Sequence, residues 1–239
     1  LKDDQYAWMQ LQTLLQAQDN SFEVHFNSNI QRLAISSTYA MNQICRTPAL
    51  LGNLHQLKQF DLDQIELYKA CEQAQEITKV QKILRLHRHA KLVEIIYLDV
   101  IHNIPLKTVL RHLSNLADQL IRCALAAAEK QLVTKHGQPV DTDGNPITLN
   151  IIAMGKLGGR ELNFSSDIDL ICSYANEGDL AGYGRLAYQE FFTRVVRLFT
   201  KLLNDTTEDG FVYRVDLRLR PWGNSGPGLL YTSDASDEQ

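Results

Sequence analysis

The chain has 239 residues, 44% of them hydrophobic and 22% charged, with a formal net charge of −4. That is the composition of a globular chain long enough to bury a sizeable core as one large domain or two small ones. The acidic balance excludes polyanion binding by bulk charge, so any nucleotide must be held by a local basic site.

No run of about eighteen apolar residues occurs, which argues against a membrane span. The opening LKDDQYAWMQ has neither a basic-then-apolar leader nor an initiator Met, so a fragment of a longer cytoplasmic protein is expected. Residues 1–136 are rich in Leu, Gln, Ala, Lys and Glu and predict helix almost throughout. Ile77, Val80 and Leu84, then Leu92, Ile95 and Ile96, recur at helical spacing, and Pro48 with Gly52, and Pro105, mark boundaries. Another helix is predicted over 108–134, with Leu110, Leu113, Leu116, Ala117, Leu120, Ile121 and Ala124 on one face. The histidines all lie here or in the loop that follows, in no metal-like arrangement. The four cysteines, Cys45, Cys71, Cys123 and Cys172, form no CxxC pair and read as small core residues of a reducing compartment.

At 136–146 the pattern changes. HGQPVDTDGNP predicts a loop with a hairpin-like turn at Asp143-Gly144. ITLNIIAM (147–154) predicts a strand, Ile168 to Tyr174 a second, residues 184–204 an amphipathic helix, and FVYRVDLRLR (211–220) a third strand closed by Pro221. The tail YTSDASDEQ is polar and reads as frayed. The expected organisation is a helical region over 1–146, an α/β unit over 147–232 and a disordered tail over 233–239.

The chemistry concentrates in MGKLGGRELNFSSDIDL, residues 154–170. Gly155, Gly158 and Gly159 follow an apolar strand and permit close backbone approach to an anion, with Lys156 adding charge. The glycines alone read more readily as a plain turn than as an anion cradle: neither GxxxxGK[ST] nor GxGxxG is present. Asp167 and Asp169, two apart on a strand, share a face. Paired carboxylates repel, and a hard cation such as Mg²⁺ or Mn²⁺ removes that cost. In the third strand Asp216, Arg218 and Arg220 alternate with Val215, Leu217 and Leu219. If that strand lies beside the Asp167–Asp169 strand, Asp216 completes a three-carboxylate cluster for nucleotidyl or phosphoryl transfer, with the two guanidiniums on phosphate. Ser165 and Ser166 either contact a phosphate or cap the strand entry. Glu161 and Asn163 shape the loop.

A glycine loop, DxD on a strand and a third Asp on a later strand is the pattern of the DNA polymerase β-like nucleotidyltransferases. GKLGGRELNFSSDIDL and DGFVYRVDLRLRPWGNSGP together closely resemble the bifunctional glutamine synthetase adenylyltransferase/adenylyl-removing enzymes, and ELNFSSDIDL looks like their N-terminal, adenylyl-removing copy. The resemblance implies an α+β fold, a helical N-terminal region followed by a nucleotidyltransferase domain with a mixed sheet. Members are several times longer and carry a second catalytic domain. The implied reaction is phosphorolytic removal of AMP from a tyrosine of glutamine synthetase, releasing ADP, with Mg²⁺ or Mn²⁺ on Asp167, Asp169 and Asp216. Lys156, Arg218 and Arg220 would neutralise charge, and the Gly158 and Gly159 amides would cradle phosphate. Glutamine synthetase, a PII signalling protein, ATP/ADP and inorganic phosphate are the implied partners, without nucleic acid or membrane. Adenylyl addition from ATP, or a non-catalytic nucleotide-sensing or docking module, are the alternatives.

Overall fold

The structure is a computed structural model that describes residues 9, 11–13, 24–62, 64–74, 76–180, 186–217 and 229–232. Arg218, Arg220 and the tail over 233–239 lie outside them.

Six helices come first: α1 (Val24–Ser36), α2 (Thr38–Arg46), α3 (Leu50–Gln56), α4 (Gln64–Gln73), α5 (Ile77–His102) and α6 (Leu106–His136). The α1–α2 corner is set by Ser37, whose Oγ accepts from Ala40 N at 3.2 Å and caps α2. α5 stops at Asn103, which takes the left-handed conformation at φ 50°, and Pro105 starts α6. α5 divides two clusters. Val93 and Tyr97 pack with Ile30, Leu33, Met41 and Ile44 in the N-terminal one. Val80, Leu84, Leu92 and Ile95 face α6 and the main core.

That main core runs on through the change of pattern near residue 147. Leu116, Leu120 and Ala124 of α6 share it with Ile168, Leu170, Cys172 and Tyr174 of β2 (Ile168–Ala175), and with Phe191, Phe192, Val195 and Phe199 of α8 (Tyr188–Asn204). Tyr174 stacks on Phe192 with ring centroids 4.6 Å apart. Cys71 and Cys123, distant in sequence, meet in this core between α4 and α6. The contact between the thiols, and then burial, push the Cys71 thiol well above its usual range.

β2 is the centre of a mixed sheet. β1 (Asn150–Ala153) pairs antiparallel along one edge, Ile152 opposite Ile171. Along the other edge β5 (Val215–Asp216) and β6 (Leu229–Thr232) follow one another, both parallel to β2. α+β architecture with a mixed sheet is therefore what the chain adopts.

Several boundaries differ from expectation. β1 is shorter than 147–154 because Ile147 N bonds Pro139 O (2.9 Å) and Leu149 N bonds Glu129 Oε1 (2.8 Å), drawing the approach away from the sheet. The third strand is confined to Val215–Asp216 among the described residues. Val212 and Tyr213 both donate to Leu203 O and are both buried, so the alternation fails there and the chain tucks under the end of α8. Tyr231 and Thr232, read as frayed tail, pair with Tyr174 and Ala175 in β6. A two-residue hairpin, β3 (Asp179–Leu180) with β4 (Leu186–Ala187), precedes α8 and went unread because so short a pair leaves no periodicity.

One side chain ties the helical half to the rest. Arg85 of α5 is fully buried. Its Nε donates to Gly210 O at 2.7 Å, Nη1 to Leu202 O and Gln81 O at 3.2 and 2.9 Å, and Nη2 to Asp205 O. It thereby satisfies carbonyls at the C-terminal end of α8 and in the turn after it.

Candidate active site

The two faces of β2 have opposite character. Ile168, Leu170, Cys172 and Tyr174 point into the core, and Asp169 and Ile171 point to the other, half-exposed side. β5 meets β2 at its first two residues, with Ile168 opposite Val215 and Asp169 opposite Asp216. Register partners on parallel strands project to the same side. The sheet therefore sets Asp169 and Asp216 side by side on the open face, as the sequence reading required of them.

Asp167 lies just before the strand. Its Oδ1 accepts from Arg214 Nε at 2.5 Å, with the two side chains about half exposed. Ile168 N donates to Arg214 O at 2.9 Å, so the ladder continues under this ion pair. Arg214 was not singled out from the sequence. It has the same parity as Asp216, Arg218 and Arg220, and that parity was the available signal.

The glycine segment forms a single turn, α7 (Gly155–Gly158), springing directly from β1. Met154 N donates to Asp169 O at 2.9 Å, which places the turn at the mouth of the acidic pair. Gly155 takes φ +54°, and a Cβ built on it would lie 2.6 Å from Asp169 Oδ2. A Cβ at Gly158 would lie 2.5 Å from Ala153 O. Gly158 is thus required by close approach to fixed backbone, and Gly155 by its positive φ, with the Asp169 carboxylate occupying the space of a side chain. The Gly158 and Gly159 amides do not cradle phosphate: each donates at 3.0 Å within the turn, to Met154 O and Gly155 O. Lys156 is exposed beside them.

Beyond the turn Arg160, at φ +61°, donates to Asp118 and Asn115 of α6 and anchors the loop on the helical half. Leu162 N bonds Ser114 Oγ of α6 at 3.2 Å. Asn163 organises the approach to Asp167: its Oδ1 accepts from Ser165 N at 3.3 Å and from Ser166 Oγ at 2.6 Å. Ser166 is thus part of the turn, and Ser165 is exposed.

Among the described residues no three carboxylate, imidazole or thiol groups stand close enough together to hold a metal ion. Asp169 and Asp216 are brought together, and Asp167 is turned to Arg214. The donor chemistry fits a hard divalent cation, all oxygen with no sulfur or imidazole. A guanidinium on Asp167 supplies the countercharge that such a cation would replace.

A mixed sheet carrying neighbouring aspartates beneath a glycine turn, with a helical layer behind it, is a nucleotidyltransferase arrangement. Residues 27–238 match the family model described as glutamate-ammonia ligase adenylyltransferase. The chain is 36% identical over 98% of its length to the bifunctional glutamine synthetase adenylyltransferase/adenylyl-removing enzyme of Shewanella woodyi. It is 41% identical over 84% of its length to that of Shewanella loihica, and 38% over 84% to that of Xanthomonas axonopodis pv. citri. It belongs to the glutamate-ammonia ligase adenylyltransferase family. It spans 25%, 22% and 21% of the length of those three relatives.

Proposed function

We propose that the chain carries the adenylyl-removing nucleotidyltransferase centre of this family, acting on an adenylylated tyrosine of glutamine synthetase with inorganic phosphate as nucleophile. The observation that carries the reading is the register pairing of Asp169 with Asp216 at the mouth of the glycine turn. A phosphate oxygen attacks the α-phosphorus, the bond from phosphorus to the tyrosyl oxygen breaks, and the products are ADP and a tyrosine that takes up a proton. Phosphate arrives already anionic, so no general base is required.

Asp169, Asp216 and a released Asp167 would hold Mg²⁺ or Mn²⁺, which when bound neutralises charge on the phosphoryl oxygens and the attacking group. Lys156, at the open end of the turn, meets anionic charge near the nucleotide, and Arg218 and Arg220 are assigned the same work from their parity. Gly155 lets Asp169 lie against the backbone without a side chain between them. Removal rather than addition is favoured by the ELNFSSDIDL wording. A PII-type protein as regulator, and a cytoplasmic setting, belong to the same reading; no described helix is long and apolar enough to cross a membrane.

The test is direct. The purified chain, Mg²⁺, phosphate and adenylylated glutamine synthetase should release ADP, and Asp216→Asn should lower the rate at least about a hundredfold, the scale of losing several kcal/mol of transition-state stabilisation. Transfer of label from ATP to unmodified glutamine synthetase, without ADP release, would assign the centre to addition instead. If neither product forms, the chain has no such centre.

A further inference from the structure

Among the described residues a cavity of about 420 Å³ opens between the α1–α2 corner, α5 and the loop that leads into Asp167. Its long wall is one stripe of α5: Arg88, Leu92, Ile96 and Val100, four residues apart, with Asp99 beside the last. Tyr39 and Ser36 close one side, Phe164 and Ser165 the other. The lining is largely apolar, with the cation of Arg88 at one end of the stripe and the carboxylate of Asp99 at the other, so an anion is directed to the Arg88 end.

Arg88 is the unusual member. Its guanidinium carbon lies 5.1 Å from the centre of the Tyr213 ring and 5.9 Å from that of Phe211. Stacking leaves the edge of the guanidinium for hydrogen bonds. Nevertheless its Nε is buried and has no hydrogen-bond partner among the described residues. No carboxylate pairs with Arg88 in any described ion pair, whereas the neighbouring Lys91 is held by Glu94 at 2.8 Å. The guanidinium is engaged by the ring and hydroxyl of Tyr213 but has no carboxylate beside it in any described ion pair, and a cation in a largely apolar wall is costly unless something supplies the countercharge.

We propose that this cavity binds a small organic carboxylate, its carboxylate on Arg88 and its apolar body along Leu92, Ile96 and Phe164. A lone guanidinium matches one carboxylate fork, and the cavity offers neither a second cation nor a cluster of amides of the kind a phosphate would favour. The volume falls in the range of small-molecule sites. Because Phe164 and Ser165 form a wall, the ligand holds the segment whose next turn carries Asp167. The binding claim is independent of the reaction proposed above.

The probe is 3-phenylpropanoate, titrated calorimetrically against the purified chain. Binding at millimolar or lower concentration is expected, weakened at least tenfold both by Arg88→Gln and by exchanging the probe for its neutral amide. The amide comparison needs no variant and so is unaffected by any folding defect. Hydrogen exchange at residues 163–166 should slow on binding. No binding at 10 mM, equal binding of acid and amide, or protection confined to other segments would overturn the proposal.

Discussion

Asp167 and Asp169 differ in what holds them. Asp169 is fixed at its backbone by the ladder and by Met154 N, whereas Asp167 is held by one half-exposed guanidinium. Exposed ion pairs contribute little to stability, so Arg214→Ala should change the unfolding free energy by less than about 1 kcal/mol. The same change should raise Mn²⁺ affinity severalfold at low ionic strength, read by titration, because the cation no longer competes with Arg214 for Asp167. An unchanged affinity would mean that the pair is not a competitor. Gly155→Ala should do the opposite: with φ +54° and a Cβ 2.6 Å from Asp169 Oδ2, the carboxylate must move. A loss of about 1–2 kcal/mol in stability is expected from the backbone strain and crowding, measured by denaturant unfolding, together with weaker Mn²⁺ binding.

Arg85 makes the sharpest prediction among the elements. Its donors go to backbone carbonyls of α8 and the following turn, and no solvent reaches them. Arg85→Met keeps volume but leaves those carbonyls unanswered, at about 3–5 kcal/mol by the scale of broken buried polar networks. Thermal unfolding checks it, and a loss below about 1 kcal/mol would show that the carbonyls find other donors. The elements were legible from sequence where one periodicity ran long. α5, α6, β2 and α8 emerged with small errors because each keeps an apolar face against the one core. β5 was overextended because Phe211, Val212 and Tyr213 look like strand residues while serving the end of α8. β6 was missed because its backbone pairing, not an apolar pattern, places it in the sheet. Parity put Asp169 and Asp216 each on the polar face of its strand, but that the two strands are neighbours was a condition only the ladder supplies. The closed Gly158 and Gly159 amides were not readable, since only the formed turn shows which donors it uses.

At the scale of the molecule, titration couples the helical half to the turn under the site. His89 of α5 donates from Nε2 to Asp209 O at 2.8 Å, and its Nδ1 accepts from Tyr39 OH at 2.6 Å. Burial, first, holds its pKa below the usual imidazole value; Arg88 and Arg46 act the same way, and Asp209 opposes them. The folded state then binds fewer protons than the unfolded state between the two values. The stability from neutral His89 is present above about pH 6.5 and is lost as pH falls through the depressed value. Melting temperature should therefore drop between pH 7.5 and 5.5 by more in the native chain than in His89→Gln. The difference cancels Glu94 and Glu129, whose carboxyls burial pushes upward and which act with the opposite sign. A parallel shift in both proteins would remove His89 from the account.

The end-to-end placement of β5 and β6 along one edge of β2 bears on how the chain may be trimmed. A version ending after Leu217 keeps Asp216 and its partner Asp169, yet leaves Cys172 to Ala175 without the neighbour that β6 supplies. Those backbone groups would then be a bare template for another copy's strand. Anyone shortening the protein to a minimal catalytic piece should expect self-association before loss of chemistry, visible as concentration-dependent light scattering that retention of residues 229–232 suppresses.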